Sequence, residues 1–267
     1  MKNPLSFSSV KLELFSKEGV RLKPASGFVV EAGDRYYLVT NGHVVSGKGI
    51  PESGQPGPVI EPHILKTSLH IYGGDDENSF PLSWGVWKRI TVQLYDDNDA
   101  PTWIELQTNK QSQSMVDIIA LPIQLNRDLK FNQVLNQLSF NTSYWAKLSA
   151  ISISAIDTDV EYAPPDTVYI IGHPLNWAPE GTDKSSAAFW RMSSIAAEIN
   201  KIGMTQAGTF FIDPCALEGM TGSPVVGLKN DRAKLLGVYS DHSTTEFGAN
   251  AGFVWDASLV KDLLNPS

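Results

Sequence analysis

The chain has 267 residues, 42% of them hydrophobic, a composition that suits one globular unit with a large core and argues against disorder along its whole length. Its formal net charge of −8 speaks against a broad nucleic-acid-binding surface. No apolar run reaches the roughly 18 residues of a membrane-spanning helix, no basic start leads into an apolar leader, and no repeat of about 20 to 50 residues marks a solenoid or propeller.

In chain order, apolar runs with strand character are predicted at 10–14, 27–31, 36–40, 64–72, 89–95, 103–107 and 117–121. Ser26 to Val30, the polar turn Ala32-Gly33-Asp34-Arg35 and the run from Tyr36 to Thr40 read as one hairpin. The stretches 46–58 and 73–83 are rich in Gly, Pro and Ser and read as surface loops. Residues 124–165 show no clean period and are expected to form a crossover with an irregular insertion. Strands return at Tyr169-Ile170-Ile171-Gly172-His173-Pro174 and Leu235-Leu236-Gly237-Val238-Tyr239-Ser240. Beyond Asp256, Leu259, Val260, Leu263 and Leu264 recur at helical spacing, with Asp256 or Ser258 as the cap.

Chemistry concentrates at three places. In Leu217-Glu218-Gly219-Met220-Thr221-Gly222-Ser223-Pro224, two glycines bracket a hydroxyl, so the backbone can turn tightly enough for the Gly219 and Thr221 N–H groups to converge as an oxyanion hole. By itself the segment also reads as a Gly-rich turn carrying a hydroxyl by chance. His43 follows the apolar run Tyr37-Leu38-Val39-Thr40, and Asp117 precedes Ile118-Ile119-Ala120-Leu121. The order His43, Asp117, Thr221 is that of base, orienter and nucleophile in one of the convergent triads, and differs from the other two.

As a set these motifs resemble the bacterial trypsin-like peptidases of the chymotrypsin fold, similar to the glutamyl-endopeptidase and HtrA groups, from about Gly27 to Leu264. The resemblance implies an all-β chain of two packed antiparallel β-barrels with a C-terminal helix. A first barrel over 1–125 would carry His43 and Asp117, a crossover and insertion would fill 126–166, and a second barrel over 167–267 would hold the nucleophile loop and the helix. It implies a serine-type endopeptidase with His43, Asp117 and Thr221 as catalytic residues and Gly219 and Thr221 as the oxyanion hole. Cys215, six residues before Thr221, would floor the substrate pocket, with Ser240, His242 and Gly252 around it. The partner would be a protein or peptide substrate, with no nucleic acid, membrane, cofactor or metal; oligomeric state stays open.

Threonine at 221 departs from the family's serine. Its β-branch restricts the side chain and adds a methyl near His43. A slow protease, a catalytically silent peptide-binding or signalling module, and a protease weakened by a Ser-to-Thr change all fit. Met220 stands where vertebrate relatives carry the aspartate that pairs with a cleaved N-terminus, so activation by N-terminal cleavage is not expected. Cys215 at the pocket floor and Tyr239 where glutamyl endopeptidases carry histidine point to an uncharged P1 residue of small to medium size. Of the other histidines, His63 and His70, seven residues apart, come without a Cys or acidic ligand cluster to make a zinc site, and His173 before Pro174 reads as structural. Cys215 is the sole cysteine, so no internal disulfide forms, which leans toward a cytoplasmic protein.

Overall fold

A computed structural model of the chain describes residues 5–47, 60–74, 84–106, 116–124, 145–156, 161–175, 188–198, 208–213, 216–230, 232–244 and 250–265. A short helix α1 (Leu5–Ser8) leads into β1 (Ser9–Phe15), whose Val10, Leu12 and Leu14 alternate inward. β1 pairs antiparallel with β2 (Ala25–Ala32), and β2 turns at Gly33, with φ of 64°, into β3 (Arg35–Thr40). After helix α2 (Gly42–Ser46) come β4 (Ile64–Gly74), β5 (Trp84–Gln93), β6 (Ile104–Glu105) and β7 (Ile119–Ile123), giving the sheet order β5-β4-β1-β2-β3-β7-β6.

The second unit is a closed antiparallel barrel. Its strands are β10 (Thr167–Gly172), β11 (Phe189–Glu198), β12 (Thr209–Asp213), β13 (Pro224–Lys229), β14 (Arg232–Thr244) and β15 (Asn250–Asp256), joined in the order β10-β11-β12-β15-β14-β13 with β13 paired back to β10. Helix α3 (Ala257–Leu264) follows, its N-terminus capped by the Asp256 carboxylate, which accepts from Ser258 N at 2.8 Å. Val260, Leu263 and Leu264 turn inward as their spacing predicts. The chain is thus all-β and chymotrypsin-like in architecture, with a C-terminal helix.

The hairpin β2–β3 is apolar on both faces because it separates two cores. Val29, Tyr36 and Leu38 pack into the first unit with Leu12, Leu65 and Leu121. Their neighbours Phe28, Val30, Tyr37 and Val39 face the other way, onto Ile171, Val226, Val238 and the α3 residues Val260 and Leu263. Period-two alternation along two adjacent strands therefore builds one core inside the first unit and a second between the units. A third core, around Ile170, Phe210, Met220, Val225 and Val254, fills the closed barrel.

Several sequence expectations shift. The strand predicted at 89–95 begins at Trp84 and ends at Gln93, because a continuous ladder from Ile64↔Gln93 to Gly73↔Trp84 zips β4 to β5. The run at 103–107 reduces to the two exposed residues of β6, and that at 117–121 enters its strand only at Ile119. The crossover is not wholly irregular: β8 (Trp145–Leu148) pairs with β4, and β9 (Ile151–Ser152) runs parallel to β2 beside Val30 and Glu31. Neither segment has a period of its own, so its structure comes from the strand edge it joins.

Candidate active site

His43 and Asp117 meet because of register. β3 pairs antiparallel with β7 so that Thr40 faces Ile119, and continuing that register two residues further sets Gly42 against Asp117. Gly42 N donates to Asp117 O at 3.4 Å, and the Asn41 side-chain amide donates to the same carbonyl at 2.8 Å. Val44 and Val45 are buried and anchor the single turn of α2 that carries His43. Asp117 Oδ1 accepts from His43 N at 2.8 Å, and Asp117 Oδ2 lies 2.6 Å from His43 Nδ1. An ionised carboxylate only accepts, so Nδ1 carries the proton and Nε2 is left with its lone pair. From the second barrel, buried Ser240 extends its Oγ toward Asp117 Oδ2 at 3.4 Å, a long and weak contact.

The loop 217–223 is ordered by its carbonyls. Glu218 O accepts from Leu175 N at 2.7 Å, Gly219 O from Ser26 Oγ at 2.9 Å, Met220 O from Ser223 N at 3.0 Å and Thr221 O from Ser26 N at 2.9 Å. In a trans peptide the N–H points opposite the C=O. With the Glu218 and Met220 carbonyls turned into the protein, the N–H groups of Gly219 and Thr221 are turned out of it. Among the described residues neither N–H has an acceptor, whereas Met220 N reaches Leu217 O at 3.1 Å and Gly222 N reaches Tyr239 O at 2.8 Å. Two outward, unengaged N–H groups, one on the hydroxyl-bearing residue itself and one on the glycine two residues before it, are the donors an oxyanion needs.

Glycine is required at both ends of this turn. Gly219 has φ of 90°, and a Cβ there would sit 2.7 Å from Leu175 N and 3.0 Å from His173 O. Gly222 has φ of 87°, and its Cβ would land on the Ser26 carbonyl and the Thr40 hydroxyl. Left-handed backbone and close approach coincide at both positions, which only glycine tolerates.

His43, Gly219 and Thr221 line one cleft of about 670 Å³ between the two units. Leu22, Val44, Ile60 and Leu217 add apolar lining, together with Tyr239. At its rim Lys23 Nζ pairs with Glu218 Oε1 at 2.7 Å and holds that carboxyl below its ordinary pKa. The Thr221 hydroxyl makes no hydrogen bond to a described residue, His43 included.

The chain matches no family model and no curated protein. It superposes on the crystal structure of a scabies mite inactivated protease paralogue, S-I1, with a TM-score of 0.49 at 14% identity, over 98% of this chain and 95% of that one. A likeness of that size carries nothing about chemistry.

Of the expected site residues, the structure brings His43 and Asp117 into contact and sets Thr221 and Gly219 on the cleft that His43 lines. Ser240, expected in the substrate pocket, is buried and turns its hydroxyl to Asp117. Gly252 sits within β15, paired to Ile212 and to His242, and is not among the cleft-lining residues. His242 is in β14, with its side chain outside the described residues, and Cys215 lies outside them altogether. Met220 is fully buried in the core of the closed barrel. Tyr239 is buried, and its hydroxyl accepts from Ala216 N at 3.2 Å, which ties the residue after Cys215 to β14. His70 stacks on Phe7 at 4.3 Å and bonds Ser149 Oγ at 2.7 Å, inside the first unit. Sequence reasoning missed the contributions of Leu22, Lys23, Ser26 and Ile60. They lie at least 17 residues from His43 along the chain, with no local pattern to mark a role at the site.

Proposed function

We propose that the chain is a trypsin-like endopeptidase scaffold that acts on peptide bonds through His43, Asp117 and Thr221. The observation that carries this reading is the doubly bonded His43–Asp117 pair, with His43 on the same cleft as Gly219 and Thr221, whose N–H groups turn outward. His43 Nε2 takes the Thr221 hydroxyl proton as the hydroxyl attacks the scissile carbonyl, and returns it to the leaving amine. Asp117 keeps the ring in the required tautomer and stabilises the imidazolium. Gly219 and Thr221 N–H receive the oxyanion, each such donor being worth about 3 to 4 kcal/mol of transition-state stabilisation. Water then hydrolyses the acyl-enzyme.

β14 supports an extended peptide as the substrate. Its pairing with β13 stops at Val238↔Pro224, while β14 itself runs on to Thr244 against β15. Beyond Tyr239 no described strand covers the other side of β14, which suits main-chain pairing by a peptide. Cys215 and Tyr239 offer no counter-charge, so the proposed P1 residue is uncharged.

A second reading, a peptide-binding module without turnover, is favoured by one observation: the Thr221 hydroxyl has no hydrogen bond to His43. Its added methyl competes for the space the serine hydroxyl uses, and a misplacement of about 1 Å costs about a hundredfold in rate. A fluorophosphonate probe separates the two. Labelling mapped to Thr221 and lost in His43→Ala supports the endopeptidase; no labelling, with peptide binding retained, supports the module.

A further inference from the structure

Ser26 opens the hairpin read from the sequence and has no role in the three chemical motifs, yet every hydrogen-bonding group it has is engaged where the two units meet. It is fully buried at the start of β2. Its N–H donates to Thr221 O at 2.9 Å, and its carbonyl accepts from Thr40 Oγ1 at 2.9 Å. Its hydroxyl donates to Gly219 O at 2.9 Å and accepts from His173 N at 2.9 Å. Two residues past His173, Leu175 N holds Glu218 O at 2.7 Å.

Of the four carbonyls that orient the loop, Ser26 thus holds two directly. It anchors the segment holding a third. Only the Met220 carbonyl is satisfied within the loop itself, by Ser223 N at 3.0 Å. The main chain of Ser26 would make its bond to Thr221 whatever the side chain; the hydroxyl alone secures Gly219 O and His173 N. We infer that Ser26 is a positioning residue: its hydroxyl, supplied by the first unit, fixes the Gly219–Met220 peptide plane directly and, by accepting from His173 N, steadies the segment whose Leu175 N holds the Glu218–Gly219 plane with the Gly219 N–H toward the cleft. The consequence for rate rests on the peptidase reading; the consequence for loop geometry does not.

Gly219 makes the arrangement dependent on that hydroxyl. A glycine at φ of 90° has several other backbone conformations open to it, so the plane it now adopts persists only while its neighbours hold it. Without the hydroxyl, the Gly219 carbonyl and the His173 N–H are both buried without partners, and rotation about Gly219 is the least obstructed relief.

The test compares crystal structures and kinetics of the chain and its Ser26→Ala variant, with Ser26→Cys, nearly isosteric and a poor donor, taking its place should the alanine variant not fold. Expected is a rotated Gly219–Met220 peptide, whose carbonyl has lost its donor, with the adjoining Gly219 N–H displaced from its present direction into the cleft, and a fall in kcat of about ten- to a hundredfold with KM little changed, because the lost interaction exists only in the transition state. Ser26→Thr, which restores a hydroxyl, is expected to return the loop to its parent geometry. A loop that superposes unchanged in Ser26→Ala overturns the inference even if the rate falls. A rotated loop in a chain whose parent cleaves no peptide upholds the positioning role and counts against the peptidase reading.

Discussion

Asp117 holds His43 at two points, main chain and ring, through its two carboxylate oxygens at 2.8 and 2.6 Å. The first bond fixes where the α2 turn begins and the second fixes which ring nitrogen is protonated. Asp117→Asn keeps an acceptor for the backbone N–H but turns an amide N–H₂ toward Nδ1, which forces the proton onto Nε2. Turnover in a Thr221→Ser chain is expected to fall by about four orders of magnitude with the fold retained. A loss below about tenfold in steady-state peptide cleavage would show that tautomer control is not what the carboxylate supplies.

If only the methyl of Thr221 separates the site from working geometry, Thr221→Ser raises turnover by roughly ten- to a thousandfold. Adding His43→Ala removes that gain, since base and nucleophile act as a unit. Cleavage of a broad peptide library by the three chains is the measurement. A serine chain that folds and gains nothing speaks for the binding module, and one that loses activity indicates a site shaped around threonine.

Gly222 and Gly33 offer a paired test of backbone contact against backbone conformation. Both have positive φ, 87° and 64°, but a Cβ at Gly33 meets nothing within 4 Å while one at Gly222 lands on Ser26 and Thr40. Gly33→Ala is expected to destabilise by about 1 kcal/mol, and Gly222→Ala by at least about 3 kcal/mol. Denaturant midpoints decide, and equal losses would mean that the interface yields around the added methyl.

Burial pushes the His173 imidazole down to about 4, with a hydrogen bond to the Ser9 backbone acting against this and the Lys11 charge adding to it. The ordinary value is 6.5, so between the two the unfolded chain binds a proton that the folded chain does not. Stability therefore rises with pH across that window, is fully present above about 6.5, and is lost as pH falls toward about 4, by up to roughly 3 kcal/mol. His173→Gln is expected to flatten this part of the profile in urea unfolding. A profile equally steep in the variant would assign the slope to other groups.

Most strands of the first unit, the β2–β3 hairpin, the capped C-terminal helix and the His43–Asp117 pair were legible in the sequence, because apolar periodicity, turn glycines and a capping carboxylate act within a few residues. Which faces those residues would meet was not. The continuous apolar runs of β2 and β3 are explained only by two cores on opposite sides, and β8 and β9 take their form from strands they join. Ser240 shows the same limit: its position on β14 was readable, while the turn of its hydroxyl to Asp117 depends on packing between units. Ser26 shows it most sharply, since its hydroxyl bonds a carbonyl 193 residues away. A hydrogen bond across that separation leaves no local period or propensity in the chain. It exists only once two folded units bring a donor and a buried acceptor within reach.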